Sequence, residues 1–163
     1  ELDERLRRQF PALRRSQDAA FRLTGLAYDR LPSPEANAAL LSVLSELGAA
    51  GTLNSMWLLA WLGSWDKLAM ATRVLEDQFA LTSQAFKSRV LYVGDSENDE
   101  VMFRALPLSA GVSTVRLHPI RYRPAWITEG PGGAGFIEIA ERLLDAKERL
   151  KSAPNSTTTA SSP

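Results

Sequence analysis

Val90-Leu91-Tyr92-Val93-Gly94-Asp95-Ser96-Glu97-Asn98-Asp99-Glu100-Val101-Met102-Phe103 organises this chain. Four apolar residues in a row, two of them β-branched valines, predict a short buried strand. Gly94 ends it, and a dense acidic and amide cluster follows at once. Ser96 is placed to cap a helix, with Asp99 three residues on to complete a capping-box-like pair. Val101, Met102 and Ala105 are the expected buried face of that helix. A carboxylate on the turn between a buried strand's C-terminal end and a helix N-terminus sits where open α/β sheets place their ligands. Such a cluster of hard oxygen ligands suits Mg²⁺.

Upstream of the strand, Gly63-x-x-Asp66-Lys67-Leu68 opens a predicted helix with Leu68, Ala71, Val74, Leu75 and Phe79 on one face. A lysine at a helix start is a point charge able to neutralise a phosphoryl group. A break is expected from Leu81 to Ser88. Further back, Gly51 to Leu62 is almost continuously apolar and predicts one strand or a strand pair. Trp57, Trp61 and Trp65 within and beyond it are spaced by four, so on a helix they would share one side. Ser33-Pro34 predicts a helix cap with proline at the first position, and Ala36, Leu40, Val43, Leu44 and Leu47 follow as a stripe that Gly48 ends. Phe21 to Asp29 reads as a strand, and Leu2, Leu6, Phe10 and Leu13 as a helix interrupted at Pro11. The pair Arg14-Arg15 reads as a solvated helix end.

Downstream, Leu108 to Val115 is an expected strand with Gly111 in its middle. Trp126 belongs to a short strand, Ala125 to Thr128, followed by a glycine loop. A terminal helix runs from Gly135 to Leu150, apolar at Phe136, Ile139, Ala140, Leu143 and Leu144. His118, in a basic stretch, reads as a structural or surface histidine. The tail from Ser152 is too poor in apolar residues to order itself.

At 163 residues the chain can bury one core, or one core and a small second lobe. Nineteen basic residues balance nineteen acidic ones, so nothing in the overall charge points to nucleic acid or an anionic membrane. The longest apolar run, Met56 to Leu62, is far short of a membrane span. With no Cys and a single His, disulfides, thiolate metal sites and cysteine nucleophiles are excluded within this chain. A cytoplasmic home is compatible with that composition.

The run Gly94-Asp95-Ser96-x-Asn98-Asp99-x-x-Met102-Phe103 resembles the C-terminal acidic motif of the haloacid-dehalogenase-like (HAD) phosphatases. The likeness is to the subfamily whose cap is inserted between the second and third motifs. Lys67 resembles that family's motif lysine. Residues 21–29 look like the first cap strand of sucrose-phosphatase-like and mannosyl-phosphoglycerate-phosphatase-like members, and residues 124–136 like the closing strand and last core helix. The resemblance implies an α/β fold: a HAD-like Rossmannoid core half, with a parallel sheet and helices, joined to a small α+β cap lobe. Residues 1–17 would then be a helical lead-in, 18–86 the cap lobe ending in the Lys67 helix, 87–150 the core half and 151–163 a disordered tail.

The resemblance also implies a Mg²⁺-dependent phosphatase acting on a small phosphorylated substrate. Lys67, Asp95 and Asp99 would be catalytic, with Asp95 and Asp99 at the metal and Ser96 and Asn98 supporting the phosphate. In the family an Asp attacks the phosphoryl group, and water then cleaves the aspartyl-phosphate. That nucleophile lies in an Asp-x-Asp motif, and no Asp-x-Asp occurs here. The expected missing piece is the first core strands, so the chain alone should be inert and should pair with the missing N-terminal segment or with itself. Relatives carry a polar segment with His and Asn before the lysine motif, where sugar groups are read. Here that segment is Met56-Trp57-Leu58-Leu59-Ala60-Trp61, and Asn54, Ser55, Trp57 and Trp61 are the candidate substrate-facing residues of the cap. The rival expectation is a non-catalytic HAD-like module that binds a protein partner or an apolar ligand through its cap.

Overall fold

The computed structural model describes residues 1–152. Helix α1 (Leu2–Gln9) buries Leu6 and Asp3. After it the chain runs antiparallel beside strand β1 (Gly25–Asp29), with the Ser16 N–H donating to the Ala27 carbonyl at 2.9 Å and the Asp29 N–H to that of Arg14 at 2.9 Å. The expected strand from Phe21 therefore starts later, because Ala19–Phe21 closes a 3-10 turn first.

Helix α2 (Pro34–Glu46) starts where the Ser33 hydroxyl accepts the Ala36 N–H, 3.1 Å away, and stops at Gly48, whose φ of 72° is the left-handed conformation glycine tolerates. Strands β2 (Ala49–Leu53) and β3 (Trp57–Leu62) form a hairpin, the strand pair expected of that apolar run, in an antiparallel sheet of order β1-β3-β2. Alternation along β3 sends Leu58 and Ala60 into a core with Tyr28, Leu40, Leu44, Leu6 and Leu13. Trp57, Leu59 and Trp61 face the opposite side. The register sets Gly25 and Ala50 beside Trp61 and Thr52 beside Leu59 on that side.

Helix α3 (Lys67–Phe79) follows, capped by the Asp66 carboxylate on the Ala69 N–H at 2.8 Å. The expected break after it is in fact helix α4 (Ser83–Arg89), capped by Thr82. A single large apolar residue, Phe86, anchors it against Met102 and Leu106, too little for a periodic signal.

Strands β4 (Tyr92–Gly94), β5 (Ser109–Gly111) and β6 (Trp126–Ile127) form a parallel sheet of order β4-β5-β6. Between β4 and β5 lie a 3-10 turn, Glu97–Asp99, and helix α5 (Glu100–Ala105), whose buried residues are Met102 and Phe103 rather than Val101 and Ala105. The strand expected to reach Val115 ends at Gly111, because residues 113–117 wind into a 3-10 turn that buries Val115. Helix α6 (Gly132–Ser152) buries Gly135 and Ile139, whereas Phe136, Leu143 and Leu144 are exposed. The expected disordered tail lies outside the described residues. The architecture is mixed α/β, and among the described residues no helix is long and apolar enough to cross a membrane.

Candidate active site

The C-terminal end of β4 delivers the acidic turn to the edge of the parallel sheet, and one carboxylate there collects most of the polar contacts. Asp99, its side chain 3% exposed, folds back over Gly94. A Cβ on Gly94 would lie 2.6 Å from the Asp99 Cγ, so glycine is needed there for space rather than for backbone freedom. Asp99 Oδ2 accepts the backbone N–H of Asp95 at 2.7 Å and of Ser96 at 3.1 Å. Oδ1 accepts the Tyr92 hydroxyl at 2.5 Å and the Lys67 ammonium.

Burial pushes the Asp99 carboxyl up, but hydrogen bonds from Lys67, Tyr92 and the Asp95 amide outweigh it and hold the group below its ordinary value. Burial and the adjoining Asp99 charge raise the Tyr92 hydroxyl well above its usual range, so it stays a donor. Lys67, the first residue of α3, is thus tied to a turn 32 residues away.

Asp95 faces outward from this knot. Among the described residues its carboxylate is met by the Ser96 hydroxyl alone, with Ser96 Oγ 3.2 Å from Asp95 Oδ1 and 3.1 Å from Asn98 Oδ1. Glu97 turns the other way and is nearly buried. Its oxygens stand 2.6 Å from His118 Nδ1 and 3.5 Å from Arg30 Nη2, at ion-pair distance but without well-angled hydrogen bonds. Arg30 also donates to the Asn54 carbonyl at 2.9 Å, which links the acidic turn to the β2–β3 hairpin. His118 therefore has a carboxylate partner that nothing in its own stretch announced.

A cavity of about 360 Å³ opens between the outer face of the antiparallel sheet and this turn. Leu59, Trp61 and Trp65 form one wall, and Lys67, Asn98 and Val101 the other.

Solved structures share this fold. Sucrose-phosphatase from Synechocystis, solved with sucrose and phosphate, superposes with a TM-score of 0.63 at 16% identity, over 85% of this chain and 59% of that one. A structure described as a HAD/COF-like hydrolase from Plasmodium vivax gives 0.53 at 15% identity, over 76% and 43%. The chain has the haloacid-dehalogenase-like fold. In sequence, 59 residues are 34% identical to phosphoglycolate phosphatase 2 of Saccharolobus solfataricus, covering 36% of this chain and 25% of that protein. No family model matches the chain. It spans a quarter of that curated relative and 59% of sucrose-phosphatase.

Within this HAD-like frame the sequence-predicted residues divide. Lys67, Asp95, Ser96, Asn98 and Asp99 come together at one end of the parallel sheet, and Trp61 lines the cavity beside them. Asn54 belongs to the β2–β3 turn rather than to the cavity lining. Its Oδ1 accepts the N–H groups of Met56 (2.9 Å) and Trp57 (2.6 Å) and so closes the hairpin turn that contains Ser55. Trp57 lies under the Arg22 guanidinium, 5.2 Å from its ring centre. For Mg²⁺ the donors are of the right kind, all hard oxygens at Asp95, Ser96 and Asn98. Among the described residues no group of three acidic or imidazole side chains could cage a metal. Asp99 could bind one only by giving up a donor, so Asp95 is the carboxylate available. One carboxylate with water and phosphate oxygens suits Mg²⁺, which seldom takes an all-protein cage.

Proposed function

We propose that this chain carries the phosphate-binding half of a HAD-type phosphomonoester hydrolase, acting on a small phosphorylated metabolite. The observation that carries the reading is the Asp99 carboxylate, which holds Lys67 from α3 and the Asp95 and Ser96 amides from the acidic turn at once. Asp95 and the Asn98 and Ser96 oxygens would hold Mg²⁺, which when bound neutralises the oxygens of a transferring phosphoryl group. Lys67 supplies a fixed positive charge to the same group, and Asp99 keeps that lysine from swinging into solvent. Asp99 is a positioning residue in this reading. It orients Lys67 and the turn without needing to touch the metal, which revises the pair of metal carboxylates expected at first. The attacking carboxylate would come from residues outside this chain's sequence, which contains no Asp-x-Asp. A cytoplasmic setting and assembly with a nucleophile-bearing segment belong to the same proposal.

Calorimetric titration of the chain with Mg²⁺ and inorganic phosphate tests it. Each should bind at least several-fold more tightly when the other is present. Asp95→Asn should abolish the Mg²⁺ response and Lys67→Ala should weaken phosphate about tenfold. Phenyl phosphate should not be hydrolysed. Turnover lost in Asp95→Asn would show that another carboxylate here is the nucleophile. Absence of both binding events would return the chain to the non-catalytic reading.

A further inference from the structure

The cavity beside Lys67 has two chemically different ends, and the far end is almost without free hydrogen-bonding groups. Trp61 and Trp65 stand there with ring centres 5.1 Å apart and planes tilted by 32°. Both indole N–H groups are already engaged: that of Trp61 donates to the Trp65 carbonyl at 2.9 Å, and that of Trp65 to the Leu62 carbonyl at 3.1 Å. The tryptophans therefore offer ring faces and no donors. Leu59 continues the surface, with Val101 opposite.

Several polar groups nearby are committed in the same way. Arg22 makes a two-pronged pair with Asp18, at 3.1 and 2.7 Å, and the Asp66 carboxylate caps α3. Glu97 faces His118 and Arg30. A polyol seated here would exchange its water for the Thr52 hydroxyl, the second Asp66 oxygen and the Asn98 amide group, with aromatic and aliphatic surface over the rest. A flat apolar group would instead exchange water for ring and methyl surface. At about 360 Å³ the cavity lies within the usual range for a small-ligand pocket.

We infer that the phosphate ester bound here is that of an apolar, ring-bearing alcohol, with the ring against Trp61 and Trp65 and the phosphate at Lys67 and Asp95. This rests on the phosphatase reading above and narrows it away from sugar phosphates.

The test is calorimetric titration of the whole chain, with Mg²⁺ present, against phenyl phosphate, phenol, inorganic phosphate and glucose 6-phosphate. Phenyl phosphate should bind at least tenfold more tightly than any of the other three. Trp61→Ala should remove most of that advantage and leave inorganic phosphate unchanged. Leu59→Thr, which places a β-branched residue on the strand, should reduce it in the same direction if the tryptophan variant folds poorly. Glucose 6-phosphate binding as well as phenyl phosphate overturns the inference and leaves the phosphatase reading standing. So does phenyl phosphate binding no better than inorganic phosphate. Phenol equal to phenyl phosphate, with Lys67→Ala without effect, overturns the phosphatase reading and this inference with it.

Discussion

Asp99 does the work of several residues because its two oxygens serve different parts of the chain. Its carboxyl is held below the ordinary carboxylate range, so its contribution to stability is complete above about pH 4. That contribution fades as pH falls through the lowered value of the folded state. Asp3, lowered by its hydrogen bond to Arg15 and by lesser contacts with Tyr28 and Arg7 against the cost of burial, adds to the same acid limb. Asp99→Asn keeps the shape but turns a donor toward either Lys67 or the two amides, and should cost about 2–3 kcal/mol at neutral pH. Urea unfolding at pH 7 and about pH 3 checks both points, since the variant should lose part of the wild-type difference between the two conditions. Gly94 was legible as a strand stop. That its empty side is filled by the Asp99 carboxylate was not, because sequence shows spacing and not what folds back over a strand end.

The antiparallel sheet is tied to α1 by one buried cluster. Tyr28 donates its hydroxyl to Asp3 at 2.8 Å, and Arg15 grips the same carboxylate with two hydrogen bonds at 3.0 and 2.8 Å. Asp3→Asn should therefore loosen α1 and the segment at residues 14–16 together, at a cost of about 2 kcal/mol read from chemical denaturation. The Arg14-Arg15 pair looked like a solvated helix end because its acceptor lies 12 residues away on another element. Helix α2 was legible because its signals are local: a serine cap, a proline at the first turn, a stripe and a glycine stop. The tryptophans show the limit of periodicity. A spacing of four places residues on one side of a helix and equally on one face of a strand, so Trp57 and Trp61 share a face whichever element forms. The turn chemistry of Asn54 then makes the run a hairpin. The approach of Glu97 to His118 and Arg30 left no trace in the sequence, being made by three separate segments.

At the scale of the molecule, several apolar surfaces have no partner among the described residues. Strand β4 has a neighbour on one side only. Met70, Val74 and Phe79 on α3 are 42–65% exposed, and Phe136, Ile137, Leu143 and Leu144 on α6 are 49–59% exposed. An open parallel edge beside such helices invites another strand. The chain should therefore associate at micromolar concentration, seen by sedimentation as species heavier than the monomer. A lone monomer that binds no nonpolar dye would mean these faces are covered in some other way. The shared carboxylate, finally, makes the junction of the two sheets readable from solvent. The Asp95 and Ser96 amides can trade their protons for deuterium only when Asp99 lets go of them, and Asp99 is steadied by a lysine that arrives from the far half of the chain. Two neighbouring amides thus act as a clock for how often the halves part, and a ligand that brings the halves together should slow it without touching either amide.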